Sequence, residues 1–429
     1  MMIKTRRAAA VVATAAMIVT AGCSTKASSS SSTGGSSSGS GSSSAAGGAP
    51  ATVKTGVGIQ GKEITLGLLT DLTGVFAALG KDLTDSQQLY WDQKNAKGGV
   101  CGKYTVKLLV KDHGYKVDAA VGLYAGMKDS ILALQHTIGS PINTALADQL
   151  VADKMINIPE AWAPNLTKTP GNMVPGATYD VEMINGIDYL LKQGKIKEGD
   201  TVGHIYHDSE YGVGGFTGSK YMAGKHNLKI VEERIKATDA DMTAQVTDLK
   251  AKGAKAIFLT TTPTQTASVA GVAQSQGLDV PILGNNPVFA AGLLTTPAAA
   301  ALKANLYVAA PTETFDKATT VLDEFKAKYP GRTPTLGVIA GEGAAEIMSQ
   351  LMEKACASGD LTRDGLNAAK ASLTKVTTNG LIVPLDLSKP GVSPSKESYI
   401  LRVADVPGGA KTEAGPVTAP EMSSYTYAG

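Results

Sequence analysis

The chain has 429 residues, with 40 Lys and Arg against 38 Asp and Glu, and 43% of its residues are hydrophobic. Roughly 365 residues remain after a leader and a tether. Because a single hydrophobic core usually supports a shorter chain than this, we expect two lobes. Without Lys4, Arg6 and Arg7 in the leader, 37 basic residues (40 minus 3) face 38 acidic ones. This near-neutral balance does not favour nucleic acid or an anionic membrane surface as a partner.

The N-terminus has the pattern of an export signal. Basic residues precede an apolar stretch, residues 8–19, which is too short for a permanent transmembrane helix. Small residues then lead to Cys23, an ending that resembles the bacterial lipobox, in which the cysteine carries a lipid. Thr20 stands where Leu is usual, and the alternative is a secretory signal cleaved near Ala21 with a spare cysteine. Both interpretations predict a signal over residues 1–22 and an extracytoplasmic protein.

Residues 23–60 are mostly Ser, Gly, Ala and Thr in their first half and carry few apolar side chains. Such a composition buries too little apolar surface to offset the entropy of ordering, so we expect a flexible tether. No later segment has the apolar length of a membrane span, and the N-terminal lipid is therefore the expected membrane attachment.

Short apolar runs alternate with segments of helical period from residue 61 onward. The first series has candidate strands at 63–70, 104–111, 132–139 and 155–161, with helical segments between them. This alternation of strands and helices predicts a parallel sheet with helices on both faces.

A second series has the same alternation. Its candidate strands lie at 200–208, 228–235, 256–261, 280–285 and 305–311. Helices are then predicted near 315–329, 336–357 and 363–373, and the strand-like segments "GLIVPLDL" and "SYILRV" follow them. The second series predicts a second sheet of the same kind.

Several stretches of the chain together resemble one known family. They are "ITLGLLTDLTGVFAALGKDL", "NAKGGVCGKYTVKLLVKD", "TIGSPINTALADQLVADKMINIPEA", "HDSEYGVGGF" and "DMTAQVTDLKAKGAKAIFLTT". In this order they are similar to the Leu/Ile/Val-binding branch of the type I periplasmic solute-binding proteins.

The resemblance implies an α/β fold of two doubly wound, Rossmann-like lobes joined by three crossover segments, a clamshell that traps a small molecule. It implies a first lobe of residues 61–180 plus 311–378 and a second lobe of residues 181–310 plus 379–429. The implied partners are a small-molecule ligand and an ABC permease that receives it. The alternative function is that of an extracellular ligand sensor that signals to a partner protein.

Ligands of open α/β sheets collect beyond the carboxyl ends of the strands. Post-strand positions and family correspondences together give the candidate ligand-binding residues, which are Leu79, Asn143, Thr144, Ala161, Trp162, Tyr211, Asn285 and Asn286. Several of them have a purely structural alternative. Asn143 or Thr144 could cap a helix, Trp162 and Leu79 could be core residues, and the glycines after Tyr211 could serve only for close packing.

Two departures from the family pattern weaken the assignment to a branched-chain amino acid, and the expected ligand is an amino acid, an amide or a small apolar or aromatic carboxylate. Family members that bind amino acids usually hold the ligand's ammonium group with a carboxylate where this chain has Asn285 and Asn286. Trp162 also replaces a small hydroxyl residue. Because a buried cation facing neutral amides is poorly compensated, a neutral or anionic ligand of apolar or aromatic character, such as an amide or a carboxylate, becomes a serious option.

Cys101 and Cys356 are the two cysteines of the folded part, and both fall in the predicted first lobe. In an oxidising compartment such a pair is a disulfide candidate, with two buried free thiols as the alternative.

The sequence offers no catalytic constellation, and we expect neither an enzyme nor a cofactor. His204 and His207 lie three apart on a predicted strand, so they point to opposite faces and do not suggest a shared metal. "GVGGFTG" breaks the dinucleotide-binding spacing because Thr217 occupies the third glycine position. An amidase or esterase would need a nucleophile and base that no motif supplies.

Overall fold

The computed structural model describes residues 52–428. The predicted signal over residues 1–22, the lipidation candidate Cys23 and most of the predicted tether lie outside these residues. The strands are β1 Lys54–Thr55, β2 Ile59–Gln60, β3 Glu63–Thr70, β4 Thr105–Asp112, β5 Ala133–Ile138, β6 Asn157–Glu160, β7 Thr201–His207, β8 Lys229–Ile235, β9 Ile257–Thr260, β10 Ile282–Asn285, β11 Leu306–Ala310, β12 Asp360–Leu361, β13 Ser398–Val403 and β14 Ala410–Val417.

The helices alternate with these strands as the apolar pattern predicts. They are α1 Ala77–Ala96, α2 Val117–Met127, α3 Ser140–Ala152, α4 Tyr179–Lys192, α5 Glu210–His226, α6 Thr243–Ala251, α7 Pro263–Ser275, α8 Ala299–Asn305, α9 Thr319–Lys328, α10 Gly337–Ala357 and α11 Arg363–Lys370. Within the described residues, none of them combines the length and the apolar character that crossing a membrane requires.

The first lobe is built on a five-stranded sheet. Strand β3 lies between β4 and β5, β6 lies beyond β5, and all four run parallel, while the short β2 pairs antiparallel with β3. Every residue of β5 is buried, as expected of a central parallel strand covered on both faces. Side chains of α2 and α3 pack on one face of the sheet, and α1 and α10 pack with the other.

The second lobe is built on a seven-stranded sheet in the order β14-β13-β11-β10-β9-β7-β8. Strands β7 to β11 are parallel, and β13 and β14 add an antiparallel edge beside β11. Helices α4 and α5 cover one face, and α6, α7 and α8 cover the other. Helix α7 begins with a capping box in which Thr262 and Gln265 satisfy each other's backbone N–H groups.

The chain passes between the two sheets three times, after β6, after β11 and before β13. Hydrogen bonds hold the crossings together. Thr178 N of the first crossing donates to Ser393 Oγ of the third at 3.0 Å, and Pro311 O of the second accepts from Val383 N, which precedes the third, at 2.9 Å. The described residues all belong to one compact unit, and the fold is the predicted two-lobed α/β clamshell.

The segment "GLIVPLDL" does not form the expected strand. It makes only isolated bridges, Thr312 with Ile382 and Val376 with Leu385, because Pro384 in its middle has no N–H group for a ladder. Leu387 N donates to Leu373 O at 2.9 Å, so this stretch lies beside the end of the first lobe. The division between lobes remains a proposal, and we place its third crossing at residues 388–397 rather than 377–380.

A disulfide joins Cys101 to Cys356, whose Cα atoms are 6.1 Å apart, within the usual span of such bonds. The first cysteine follows α1 and the second lies in the last turn of α10. The bond therefore links the ends of the two helices that pack side by side in the first lobe.

Candidate functional site

A cavity lies where the carboxyl ends of both parallel sheets face each other. The cavity has a volume of about 60 Å³. Its lining residues are Phe76, Leu79, Gly80, Leu83, Tyr115, Ile138, Gly139, Ser140, Glu160, Trp162, Tyr179, Tyr211, Asn286, Pro287, Phe289, Val308, Ala310, Leu336, Gly337, Ala340, Leu401 and Ala410. The wall is mostly apolar, and it contains no Lys, Arg or His.

Strand ends and helix starts position the first-lobe wall. Ser140 opens α3 directly after β5, and Glu160 ends β6 beside it. The turn from β5 into α3 depends on Gly139, whose φ of +103° is a left-handed conformation. A Cβ at this position would lie 2.8 Å from the Tyr115 ring. The edge of the sheet thus presents Ser140 and Glu160 to the cavity.

A chain of aromatic rings crosses the cavity from one lobe to the other. Ring centroids are 5.0 Å apart for Phe76 and Tyr115, 6.2 Å for Phe76 and Tyr211, 4.8 Å for Tyr179 and Tyr211, and 6.0 Å for Trp162 and Tyr179. These separations are in the range where tilted aromatic pairs attract each other. Because the rings come from both lobes, they give the cavity a continuous apolar wall.

Glu160 is the carboxylic acid side chain of the cavity wall. It is 5% exposed, and within residues 52–428 neither of its carboxyl oxygens has a hydrogen-bond partner. Burial raises its pKa from 4.5 to about 8, because removal from water disfavours the ionised form. At neutral pH the carboxyl group is therefore mainly protonated and has an O–H to donate.

Two further polar atoms of the first-lobe wall have no partner in the described part of the chain. They are the Ser140 hydroxyl oxygen and the Trp162 indole nitrogen Nε1. The Trp162 nitrogen also lies near the crossings, since a Cβ on Gly176 would be 2.8 Å from it and 2.4 Å from Pro311 Cβ. Buried polar groups are normally satisfied, so these two atoms stand out among the polar groups of the wall.

The second-lobe wall is held by polar groups that are already paired. The Tyr211 hydroxyl donates to Thr261 O at 3.0 Å. The backbone N–H of Asn286 donates to Glu182 Oε2 at 3.1 Å. Glu182 lies behind the wall, its Oε1 has no partner among the described residues, and burial raises its pKa well above 4.5. No lining residue of this lobe has a buried side-chain polar atom without a partner.

The structure brings four of the eight candidate residues into the cavity wall: Leu79, Trp162, Tyr211 and Asn286. Their contact with a ligand remains a proposal.

The other four candidates lie outside the wall and have local roles. Asn143 is buried and donates to Thr137 O and Gly139 O, which fixes the turn into α3. Thr144 accepts a hydrogen bond from Asn165 Nδ2 at 3.0 Å. Ala161 is a buried core residue behind the wall.

Asn285 is also engaged inside the second lobe rather than in the wall. Its Nδ2 donates to Tyr179 O at 2.9 Å and to Glu182 Oε2 at 3.3 Å, and its Oδ1 accepts from Thr260 Oγ1 at 2.8 Å. With both ends of its amide in use, it holds α4 against β10.

Sequence reasoning missed Ser140, Glu160 and the rings of Phe76, Tyr115 and Tyr179. A signal was present for Glu160, because a carboxylate directly follows the buried run "INIP" at the edge where ligands collect. The described residues contain no group of three or more His, Cys, Asp or Glu arranged to hold a metal ion.

Two α/β lobes that meet around a buried cavity define a solute-binding protein. A family model described as "Periplasmic binding protein" matches residues 29–410, and the chain belongs to this family. The resemblance inferred from the sequence is confirmed at this level.

The relatives agree with this assignment. The fatty acid ABC transporter substrate-binding protein from Thermomonospora curvata is 38% identical, with a TM-score of 0.85 over 87% of this chain and 97% of that chain. A branched chain amino acid ABC transporter from Thermus thermophilus with bound valine has a TM-score of 0.74 over 84% of this chain and 98% of that one. At 16% identity, it shows a shared fold alone.

A curated relative, the Leu/Ile/Val-binding protein BraC3 of Rhizobium johnstonii, is 26% identical over 200 residues. That match covers 46% of this chain and 54% of the relative, so the chain spans about half the length of the curated relatives it matches.

Proposed function

We propose that this protein is the extracytoplasmic binding component of an ABC importer and captures a small apolar carboxylic acid between its lobes. The observation that carries the proposal is the cavity wall, which is apolar and aromatic on both sides and has a few polar groups at one end. Binding sites for small molecules commonly combine such a wall with a few convergent polar groups. The relative from Thermomonospora curvata, which is named for fatty acids and is 38% identical, supports the same ligand class.

The second-lobe residues argue against a branched-chain amino acid. Asn285 stands in the region where amino-acid binders carry a carboxylate, and its amide is used to hold α4 rather than facing the cavity. Trp162 fills a position where the family commonly has a small hydroxyl residue. The small cavity volume of about 60 Å³ favours a compact acid of short or medium chain length.

The proposed mechanism is closure of the two lobes around the ligand. The open form takes the ligand on the first lobe, where the unpartnered polar atoms lie, and the rings of the second lobe then cover it. The closed shape is stabilised only while the ligand bridges the walls, so the permease can recognise loaded protein.

We also propose that a lipid on Cys23 holds the protein at the membrane, outside the cytoplasm. A disulfide between Cys101 and Cys356 is consistent with an oxidising compartment. Mass spectrometry of the mature N-terminus decides between a lipidated Cys23 and a leader cleaved near Ala21.

A thermal-shift panel tests the proposed ligand class. Hexanoate, octanoate and dodecanoate are compared with leucine, isoleucine and valine on the same ligand-free protein. A ligand present at 100 times its Kd adds about 2.7 kcal/mol to the free energy of unfolding, so at least one of the acids is expected to raise Tm by several degrees. A strong shift with leucine, isoleucine or valine and none with the acids would contradict the proposal.

A further inference from the structure

Three polar groups of the first-lobe wall lie at or just after the ends of two neighbouring strands. Ile138 of β5 is paired with Glu160 of β6, and Gly139 N donates to Glu160 O at 3.4 Å. Ser140 and Trp162 follow these paired residues by two positions each. The residues that carry these unpartnered atoms, together with Glu160, therefore line the cavity beside the same sheet edge.

The hydrogen-bonding capacity of these groups restricts what they can bind. The indole N–H of Trp162 only donates, and the Ser140 hydroxyl donates and accepts. A ligand must offer at least one acceptor to this end of the cavity, because a buried donor left without a partner is costly. The two oxygens of a carboxyl group supply acceptors for both donors.

The charge of the cavity wall adds a second restriction. No Lys, Arg or His lies in the wall, so an ionised ligand carboxylate would meet no cation there. A protonated Glu160 solves this problem, since its O–H can donate a short, charge-assisted hydrogen bond to the carboxylate. Two carboxyl groups then share one proton and one negative charge, and no covalent bond to carbon changes.

We propose that Glu160 recognises the ligand's carboxyl group by sharing its proton with it, while Ser140 and Trp162 donate to the ligand's remaining oxygen lone pairs. The inference rests on the proposed function, because it assigns the head-group contact of the same site. It also predicts that capture weakens at alkaline pH, where Glu160 loses its proton.

Other titratable groups surround Glu160. The phenols of Tyr115, Tyr179 and Tyr211 line the cavity, and burial raises the pKa of each above its ordinary value of 10. Glu182 lies behind Asn286 in the second lobe, with a pKa well above 4.5. The tyrosines do not titrate between pH 7 and pH 9, which leaves the two glutamates to be separated by mutation.

The remaining groups lie farther into the first lobe. His113 follows β4 and His136 lies within β5, and burial lowers the pKa of both, that of His136 to about 3. Asp71 and Glu210 face Tyr115 from the loop after β3 and from the start of α5.

The test is calorimetric titration of the full protein with octanoate at pH 7 and pH 9. Octanoate stays ionised at both values, whereas a group of pKa about 8 passes from about 90% to about 10% protonated. The Kd of the natural protein is therefore expected to rise about tenfold from pH 7 to pH 9. Octan-1-ol, which has no carboxylate, is expected to bind with less than about a twofold change.

Variants assign the titration to one residue. Glu160→Gln keeps a neutral hydrogen-bond donor, so its Kd for octanoate at pH 7 is expected within about threefold of the natural value and constant to pH 9. Glu342→Gln is the matched control. Burial and the neighbouring Glu324 and Glu346 raise the pKa of Glu342 to about 7, but it lies outside the cavity wall, so its variant should keep the tenfold change.

Several results would overturn the inference. Octanoate binding that is constant from pH 7 to pH 9 in the natural protein refutes it without touching the proposed function, and this result needs no variant to fold. A pH dependence that persists in Glu160→Gln assigns the titration to Glu182 instead. If octylamine binds more tightly than octanoate, and Glu160→Gln abolishes octylamine binding, then Glu160 is the counter-ion of a cationic ligand and the inference is wrong. Failure of octanoate, hexanoate and dodecanoate alike to bind refutes the proposed function and the inference together.

Discussion

The two lobes contribute different kinds of surface to the same cavity. In the first lobe, the wall contains three groups with buried, unpartnered polar atoms, Ser140, Glu160 and Trp162. In the second lobe, Tyr211 donates to Thr261 O, and Asn286 is held through its backbone N–H. Among the described residues, the first-lobe wall therefore has buried polar atoms without hydrogen-bond partners, whereas the second-lobe wall is mainly an apolar surface.

This difference gives the two lobes different roles in ligand binding. Orphaned polar atoms give direction to a ligand, because only a suitably placed head group satisfies them. Aromatic and aliphatic surface adds affinity in proportion to the area removed from water, with little directional demand. The first lobe should thus decide which head group is accepted, and the second lobe should stabilise the closed form.

Removal of the Trp162 ring is expected to have the largest effect. Trp162→Ala deletes a ring of the wall and a donor to the head group, so the Kd for octanoate should rise at least about 100-fold, which corresponds to about 2.7 kcal/mol. Isothermal titration measures this change.

Trp91 provides the matched control, since it is the other tryptophan of the chain. It is fully buried, its indole N–H donates to Gln135 Oε1 at 3.0 Å, and it lies outside the cavity wall. Trp91→Ala should lower the free energy of unfolding by about 3–5 kcal/mol and leave the octanoate Kd of the folded protein nearly unchanged. Equal losses of affinity in the two variants would show that Trp162 acts only through the stability of the lobe.

Removal of one hydroxyl group from each lobe is expected to have a smaller effect on octanoate affinity. Ser140→Ala removes a hydroxyl without a protein partner, so the octanoate Kd should rise about tenfold while the free energy of unfolding stays within about 0.5 kcal/mol. Tyr211→Phe removes a hydroxyl already bonded to Thr261, so the free energy of unfolding should fall by about 1 kcal/mol with less than about a twofold change in Kd.

Titration calorimetry and denaturant unfolding of both variants measure this pair. The reverse pattern, with affinity lost in Tyr211→Phe and stability lost in Ser140→Ala, would show that the lobes have exchanged the roles assigned to them.

The alternation of strands and helices predicts the two parallel sheets, because buried parallel strands read as short continuous apolar runs. The joining of the two lobes by three crossovers was implied by the family resemblance. The run "EITLGLLT" coincides with β3, and "SYILRV" coincides with β13. The prediction was wrong for "GLIVPLDL", whose apolar residues pack beside the first lobe with isolated bridges instead of a ladder. Apolar content alone does not distinguish these two situations, although Pro384 was a warning.

The site was harder to predict because its character depends on which polar atoms find partners. Asn143 and Asn285 stand in ligand-facing positions along the chain, yet their amides are used within the lobes. Glu160 ends a strand at the sheet edge where ligands collect, but the sequence does not show that its carboxyl group is buried without a partner among the described residues. Trp162 was found because a large ring in a post-strand loop is informative by itself.

A crystal structure of the octanoate complex tests the central claim most directly. The account predicts a closed cavity in which one oxygen of the ligand lies about 2.5–2.7 Å from a Glu160 carboxyl oxygen. Ser140 Oγ and Trp162 Nε1 should lie within hydrogen-bond distance of the same carboxyl group. A ligand whose carboxyl group points away from the first lobe, or one bound outside the cavity, would contradict it.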